Sequence, residues 1–331
     1  MLIDSFGRVL DYLRVSITDR CNLRCFYCMP VEGVQWKPHG DMLSFEEILR
    51  VVKVMADMGI QKVRVTGGEP LLRRGTPAFI NSLKVIAGIE KVTLTTNGLL
   101  LGGYLESAAM GHYSLPDGIN ISIDALDTDR YQKITRNIEA NPEMIMPLID
   151  RLLEKNINVK INCVPVRTVN EEEILPLAAL AKDKNIVVRF IELMALGSAS
   201  SFQAVPGSEV AALIENAYGH LTPFTGITGN GPAVYYSLPG FTGKIGFINP
   251  ITHGFCETCN RLRLSSEGFL KLCLSSDMGL DLKKSLRLGT ADSDIAGEIQ
   301  TLVKNKPRFH SFSAIYGATE THPAGMSGIG G

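Results

Sequence analysis

The chain has 331 residues, 45% of them hydrophobic and 20% charged, which is the composition of an ordinary globular protein. Its formal net charge is -1, so no global positive field attracts nucleic acid, and any phosphate site has to be built locally. The first residues lack the pattern of a secretory signal, and no apolar run approaches the ~18 residues that a membrane span needs. We therefore expect a cytoplasmic protein whose seven cysteines are reduced and indicate metal binding.

Apolar, β-branched segments recur through the first two-thirds of the chain and predict six strands, over residues 12–19, 62–66, 91–97, 118–124, 158–166 and 186–193. Amphipathic helices are predicted between most of them, most clearly over 44–59, 142–156 and 170–185. The first of these helices begins with a capping box formed by Ser44 and Glu47 and stops at Gly59. Strands that alternate with helices predict a parallel α/β sheet.

Five of the predicted strands have one polar face. In the second strand, Val63 and Val65 point one way while Arg64 and Thr66 point the other. Buried parallel strands are usually apolar on both faces, so polar faces under a layer of helices indicate a shared cavity. We predict an α/β fold, an open, partial TIM-type barrel of about six β/α units around a large polar ligand. The alternative is an antiparallel sheet with one face in water, but the helices predicted between the strands favour the parallel sheet.

The pattern changes from about residue 197, where glycine, serine and proline become frequent. We therefore predict two domains, a partial barrel over 1–196 and a smaller C-terminal module over 197–331. The module would carry the second set of cysteines and end in a flexible Gly-Gly tail.

A first cysteine motif follows the first predicted strand directly: Cys21, Cys25 and Cys28 have the spacing C-x3-C-x2-C. The carboxyl end of a strand is where α/β barrels place their chemistry. Three thiolates satisfy three irons of a four-iron, four-sulfur cluster and leave the fourth iron open for a small ligand. Structural zinc is the alternative, but zinc normally takes four ligands at paired C-x2-C spacings.

With the aromatic Tyr27 before its last cysteine, this motif resembles the signature of the radical S-adenosylmethionine superfamily. The resemblance implies a partial or full (β/α) barrel in which the open iron binds S-adenosylmethionine, whose reductive cleavage releases a 5′-deoxyadenosyl radical. It also implies that further residues contact this cofactor, namely Tyr27, Gly68 and Glu69 of the TGGEP turn, Ser122 and Met194. Core packing is the alternative role for Met194.

A second cysteine set, Cys256, Cys259 and Cys273, has the spacing C-x2-C-x13-C. A C-x2-C pair alone is typical of a zinc knuckle or of a redox pair. A redox pair would leave the third cysteine unexplained, and a zinc ribbon would need a fourth ligand, for which His253 is the near candidate. Three cysteines again predict an iron–sulfur cluster with one open iron.

The string CNRLRLSSEG after this pair resembles the GTP 3′,8-cyclase family of molybdenum cofactor biosynthesis, and so do YLRVSITDRCNLRCFYCMP, KVRVTGGEPLLR, RFIELM and the terminal Gly330-Gly331. The resemblance implies that the second cluster binds the guanine of GTP and that the product is 3′,8-cyclo-7,8-dihydro-GTP. It also implies that Gly330-Gly331 reaches the active site. Residues 102–118 and 135–144 are less regular than in the family, but neither stretch removes a motif residue.

Cationic residues on the polar strand faces and after the second cysteine pair are expected to bind the triphosphate. Buried cations are rare unless paired, and the arginine fork matches phosphate oxygens. The candidates are Arg14, Arg64, Lys160, Arg261 and Arg263, with Thr95 added by the resemblance. Neutralisation by acidic neighbours such as Asp124 or Glu192 is the alternative for any one of them. The seventh cysteine, Cys163, is predicted to be a buried core thiol.

The resemblance further implies a set of partners: GTP as substrate, a cyclic pyranopterin monophosphate synthase downstream, and an electron donor such as flavodoxin or ferredoxin. No nucleic-acid or membrane partner is expected, and a homodimer is allowed. Two rival functions stay open. One is another two-cluster radical enzyme that acts on a peptide, and the other is a non-catalytic zinc-binding protein.

Overall fold

A computed structural model describes residues 1–194, 196–226 and 229–312. Its strands are β1 (Tyr12–Ser16), β2 (Lys62–Thr66), β3 (Lys91–Thr96), β4 (Gly118–Ser122), β5 (Asn158–Cys163), β6 (Val187–Ile191), β7 (Thr222–Pro223), β8 (Val234–Ser237), β9 (Lys244–Ile248), β10 (Arg261–Leu264), β11 (Phe269–Lys271) and β12 (Gly279–Asp281). Its helices are α1 (Phe45–Asp57), α2 (Thr76–Lys84), α3 (Leu101–Ala109), α4 (Thr128–Thr135), α5 (Met146–Glu154), α6 (Ile174–Asp183), α7 (Gly207–Tyr218), α8 (Leu282–Arg287) and α9 (Asp292–Val303).

All twelve strands belong to one sheet, in the order β12-β11-β10-β1-β2-β3-β4-β5-β6-β9-β8-β7. Strands β1 to β6 are parallel neighbours in chain order, and helices connect them. Within the described ranges the two ends of this order do not pair with each other, so the barrel is open. The predicted α/β fold, an open partial barrel of six β/α units, is confirmed.

The predicted strands are present, but most end earlier than their sequence patterns do. β1 ends at Ser16 rather than at residue 19, and β5 ends at Cys163 rather than at residue 166. The apolar pattern continues past these points because Ile17 is still a core residue after β1, and because after β5 Val164 lines the cavity while Val166 lies in the core. Beyond these points the chain forms the loops at the carboxyl ends of the strands.

Helices cover the apolar face of the sheet, as the alternation predicts. Val15, Val63 and Leu94 are fully buried there. The predicted capping box of α1 is present: the Ser44 hydroxyl accepts from the Glu47 amide at 3.1 Å, and the Glu47 carboxylate accepts from the Ser44 amide at 2.7 Å. Cys163 lies in the hydrophobic core, as predicted.

Residues after 197 extend the barrel sheet at both edges. β9 pairs in parallel with β6, and β10 pairs in parallel with β1, which places Arg263 directly opposite Arg14. One sheet therefore runs across the proposed boundary, and the division into 1–196 and 197–331 stays a prediction. The Gly330-Gly331 tail lies outside the described residues. In the described ranges, no helix has the length and apolar character needed to cross a membrane.

Candidate functional site

The polar strand faces line one cavity together with both cysteine sets. Of the seven cysteines, all except Cys163 are in its wall. The remaining lining includes most of the other predicted site residues, namely Arg14, Tyr27, Arg64, Gly68, Thr95, Ser122, Met194, Arg261 and Arg263. Glu69 and Lys160 lie beside the cavity rather than in its wall. The fold thus brings residues from the whole length of the described chain to one site.

The first cysteine loop is held against the end of α4. The amide of Arg24 donates to the carbonyl of Thr135 at 2.8 Å, and the amide of Phe26 donates to the carbonyl of Ile134 at 3.1 Å. Within the loop, the Cys28 amide donates to the Cys25 carbonyl at 2.9 Å. These bonds fold eight consecutive residues so that the three thiols face the same cavity.

The cysteines of this loop are partly buried, and their thiols are close together. Burial raises the pKa of Cys21 to about 11 and that of Cys28 to about 12. Burial also raises the pKa of Cys25 well above its usual range, and Asp124, Cys28 and Cys21 add to the shift. Thiolates in such surroundings need positive charge, which the irons of a cluster supply. Within the described ranges no three histidine, cysteine or acidic side chains are grouped as ligands of one single metal ion. In a four-iron cluster each thiolate binds a different iron, so the fit to a cluster rests on the chemistry of the donors.

The TGGEP turn after β2 is built onto the first cysteine loop. The amide of Gly68 donates to Thr18 and the amide of Glu69 donates to Arg20, both at 2.8 Å. A Cβ at position 68 would lie 2.2 Å from the carbonyl oxygen of Arg20, so only glycine permits this approach. The contact explains physically why a glycine-rich turn occurs directly after the second strand.

Glu69 is a buried carboxylate with several donors around it. It accepts hydrogen bonds from the amides of Asn97 at 2.7 Å and Leu71 at 3.0 Å, and from the Thr96 hydroxyl at 2.8 Å. Burial nevertheless raises the pKa of Glu69 to about 7. A cationic ligand group beside this carboxylate would favour its ionised form.

Tyr27 is tied to the end of β4 by an acid that the sequence did not assign to the site. The Tyr27 hydroxyl donates to Asp124 at 2.6 Å, and the Val164 amide donates to the other carboxylate oxygen at 2.8 Å. Asp124 had been considered as a partner for a cation. The second such acid, Glu192, accepts from the amides of Ile251 and Thr252. Both carboxylates thus bond to groups other than the proposed triphosphate cations.

Three arginines form a row across neighbouring strands. In the sheet register Arg14 lies opposite Arg263 on one side and Arg64 on the other. Burial lowers the pKa of Arg14 well below its usual value, and the charge of Arg263 lowers it further. Burial, together with the charge of Arg261, lowers the pKa of Arg263 to about 10. Cations placed this close together favour a polyanion between them.

Lys160 lies near this row, with its ammonium 3.4 Å from the hydroxyl of Tyr235. Burial lowers its pKa to about 7, and the charges of Arg189 and Arg64 contribute to the shift. The structure also adds a cation that the sequence analysis missed. Arg189 of β6 lines the cavity, is 3% exposed, and donates to the side-chain oxygens of Asn162 at 2.9 Å and Asn120 at 2.7 Å.

The signal that could have identified Arg189 is the same alternation that selected the other cations. Val188 and Phe190 are buried on the apolar side, so Arg189 between them points to the polar face. The sequence prediction includes the sixth strand but assigns no role to its polar face.

The second cysteine set comes from two separate places: Cys256 and Cys259 precede β10, whereas Cys273 follows β11. Burial raises the pKa of Cys256, and Cys273 and Cys259 raise it further, which indicates that the three thiols are close. Burial also acts on Cys259, but the charges of Arg261 and Lys306 outweigh it and lower the pKa of this thiol to about 7. His253, the candidate fourth zinc ligand, is exposed and outside the cavity wall.

Comparisons with known proteins match both halves of this arrangement. The model of the radical SAM superfamily matches residues 15–181, and the model named Molybdenum Cofactor Synthesis C matches residues 186–312. A GTP 3′,8-cyclase from Moorella thermoacetica is 41% identical over 334 residues, covering 99% of each chain. One from Clostridium perfringens (strain 13 / Type A) is 41% identical over 93% of this chain and 94% of its own length.

Among solved structures, SuiB of Streptococcus suis bound to S-adenosylmethionine has a similar fold. The TM-score is 0.58 at 16% identity, over 88% of this chain and 68% of that chain. At this identity the likeness concerns the fold alone.

Proposed function

Since the chain belongs to the GTP 3′,8-cyclase family of radical S-adenosylmethionine enzymes, which acts in molybdenum cofactor biosynthesis, we propose that its two cysteine sets hold two four-iron, four-sulfur clusters beside one GTP. The observation that carries the proposal is the single cavity lined by six cysteines and a row of arginines. Nothing in a peptide substrate would require that concentration of buried positive charge.

At the first set, Cys21, Cys25 and Cys28 hold the cluster that, when bound, supplies the electron for reductive cleavage of S-adenosylmethionine. The Gly68–Glu69 turn takes the amino group of the methionine moiety. Other contacts to S-adenosylmethionine come from Tyr27, Ser122 and Met194, which line the same cavity. The hydrogen bond from Tyr27 to Asp124 fixes the tyrosine ring in the cavity wall.

The triphosphate of GTP binds the row of cations formed by Arg14, Arg64, Lys160, Arg261 and Arg263, with Thr95 beside it. Arg189 lies on the same polar face and belongs to this group. Anchoring the phosphates fixes the ribose and the base relative to each other, so the gain is one of orientation. The 5′-deoxyadenosyl radical would take the hydrogen atom from carbon 3′ and become 5′-deoxyadenosine, and the resulting carbon radical would bond to carbon 8. One electron from the reductant and one proton would complete 3′,8-cyclo-7,8-dihydro-GTP.

At the second set, Cys256, Cys259 and Cys273 hold a cluster whose open iron takes the guanine. Arg261 follows Cys259 by two residues, and its guanidinium is 3.6 Å from the Cys259 sulfur. Base and triphosphate are therefore bound by one short stretch of chain.

The partners follow from the same premise. A one-electron donor such as flavodoxin or ferredoxin reduces the first cluster in the cytoplasm, and the product passes to cyclic pyranopterin monophosphate synthase.

The test is anaerobic. The chain is reconstituted with iron and sulfide, reduced, and supplied with S-adenosylmethionine together with either GTP or ATP. We expect a brown protein that releases 5′-deoxyadenosine and forms the cyclised nucleotide with GTP, and that loses both activities in Cys21→Ala. If the same amount of 5′-deoxyadenosine is released without nucleotide, the radical chemistry is supported but GTP is excluded as the substrate. A colourless protein that retains zinc would support the non-catalytic rival.

A further inference from the structure

A segment near the C-terminus contacts the second cysteine set at several points; we call residues 306–312 the strap. The Ser311 amide donates to the hydroxyl of Ser275 at 3.2 Å, and that hydroxyl is 3.4 Å from the sulfur of Cys273. The backbone of His310 is hydrogen-bonded to the Cys256 thiol. The ring of His310 donates through Nε2 to the carbonyl of Pro250 at 2.6 Å. The strap thus forms part of the surroundings of this site.

Arg8 joins the strap to Cys256 from the opposite end of the chain. One of its terminal nitrogens, Nη1, donates to the carbonyl of Cys256 at 2.7 Å and to that of Arg308 at 3.1 Å. The other, Nη2, donates to the carbonyl of Pro307 at 2.7 Å. The Nε of Arg8 donates to the carboxylate of Asp4 at 2.5 Å, which holds the guanidinium in place. Both side chains are almost completely buried. A guanidinium has five donors in a fixed plane, which suits it to gathering several carbonyls.

Lys306 is the second buried cation at this site and is 3% exposed. Its ammonium donates to the carbonyl of Arg261 at 2.9 Å and also to the carbonyl of Leu272. Arg261 follows Cys259 by two residues, and Leu272 directly precedes Cys273. One ammonium therefore links the two chain segments that carry these cysteines.

The charge of Lys306 is also relevant to the thiols. Its ammonium is buried and bonded to the carbonyls of residues one and two positions away from Cys273 and Cys259. A buried ammonium costs free energy unless nearby charge compensates for it. Thiolates bound to a cluster provide that compensation, whereas two carbonyls alone provide only part of it.

We propose that Arg8 and Lys306 are positioning residues for the second iron–sulfur cluster: Arg8 fixes the Cys256 loop against the strap, and Lys306 holds Cys259 and Cys273 together and offsets their negative charge. The inference rests on the proposed function, because it assumes a cluster at this cysteine set. Outer groups that orient metal ligands commonly change metal affinity by roughly 10- to 100-fold when removed.

The experiment separates the two clusters by mutation. One background, C21A/C25A/C28A, keeps only the second set, and the other, C256A/C259A/C273A, keeps only the first. Lys306→Met, Lys306→Arg, Arg8→Gln and Arg8→Lys are placed in each background. Lys304→Met is the matched control, because the Lys304 ammonium bonds to the carbonyl of Ile3 and is exposed. Each protein is titrated anaerobically with ferrous iron and sulfide, and bound iron, the electron paramagnetic resonance spectrum and the reduction potential are measured.

We expect Lys306→Met and Arg8→Gln to bind iron at the second set roughly 10- to 100-fold more weakly, with first-set loading unchanged. Lys306→Arg and Arg8→Lys should recover part of the loss. Whatever second cluster forms in Lys306→Met should have a more negative reduction potential, because the reduced cluster has lost a nearby cation.

Unchanged loading and potential at the second set would overturn the inference, and so would an equal loss in both backgrounds, which indicates a general folding defect. If the parent of the second-set background binds no cluster at all, the proposed function itself fails at this site and the inference fails with it.

Discussion

The two cysteine sites differ in how much of the chain is needed to build them. The first set lies within eight consecutive residues, and its loop closes through backbone hydrogen bonds to the end of a neighbouring helix. The second set comes from two segments joined by Lys306, Arg8 and the strap, and the Arg8–Cys256 contact spans 248 residues. The loop of the first set is therefore built by local contacts, whereas the second site depends on the folding of both ends of the chain.

The sites also differ in charge. Around the first set, burial is the main influence, and the neighbours Glu69 and Asp124 are acidic, so thiol pKa values rise. Around the second set, Arg261 and Lys306 lower the pKa of Cys259 to about 7. In the proposed function, the first site thus leaves positive charge to its cluster and to a cationic ligand such as the sulfonium of S-adenosylmethionine. The second site obtains part of that charge from the chain itself.

The largest expected effect is that cysteine substitutions in the two sets abolish different reactions. Cys21→Ala should abolish both 5′-deoxyadenosine and the cyclised nucleotide, because the electron for cleavage comes through the first cluster. Cys256→Ala should abolish the cyclised nucleotide but retain some cleavage of S-adenosylmethionine. Both products are quantified by chromatography, with Cys163→Ala as the control that alters neither site. Complete loss of cleavage in Cys256→Ala would show that the sites do not work separately.

The next largest effect concerns the row of arginines between the sites. Arg263→Gln should weaken GTP binding roughly 10- to 100-fold, equivalent to about 1.5–3 kcal/mol for a hydrogen bond to a charged group. Binding of S-adenosylmethionine should stay the same, because Arg263 is on the side of the second set. Calorimetric titration with each ligand measures this, with the exposed Arg287→Gln as the control. An equal loss for both ligands would contradict the assignment.

A pH dependence should follow from Lys160, whose pKa is lowered to about 7. A bound triphosphate raises this pKa again, so GTP binding takes up a proton above pH 7. If Lys160 alone is considered, the affinity for GTP is at its maximum below pH 7. Above pH 7 this affinity falls by up to about tenfold per pH unit, until the pKa of Lys160 in the GTP complex is reached. Titrations between pH 7 and 9 test this. Lys160→Gln should be weaker throughout and less dependent on pH, and an unchanged slope would exclude Lys160 from phosphate binding.

The same residue gives the apoprotein a stability trend of defined sign. The unfolded chain holds the proton of Lys160 up to its ordinary pKa of 10.5, whereas the folded chain releases it near 7. Between these values the unfolded state binds more protons, so the contribution of Lys160 to stability rises with pH. Chemical denaturation of the apoprotein across this window should show a steeper rise than in Lys160→Met. A rise of the same size in both proteins would contradict the burial of this ammonium.

The smallest expected effect is on the stability of the fold and should not change either cysteine site. Ser44→Ala removes the capping box of α1 and should lower the free energy of unfolding by about 1 kcal/mol, the usual value of an N-cap. Iron loading at both sets should be unchanged in anaerobic titrations. A selective loss at one cluster would mean that α1 supports that site in a way that the contacts of Ser44 do not indicate.

Much of the site could be predicted from short stretches of sequence. Strand alternation identified Arg14, Arg64 and Lys160 as residues of a polar face, and spacing grouped six cysteines into two sets of three. Alternation misjudged only where strands end, because polar residues continue to alternate after Ser16 although the backbone has left the ladder. Arg189 was missed although its neighbours gave the same signal.

The sequence by itself determined the period of the strands, the helix caps and the order of the motifs, since these depend on neighbours within a few residues. Only the tertiary structure decided that β10 lies beside β1, which brings Arg263 opposite Arg14 and the second cysteine set to the cavity of the first. It alone also decided that Arg8 and Lys306 surround that second set. Such contacts join residues far apart in the chain, and they form because buried cations must find carbonyls and negative charge wherever the fold brings these within reach.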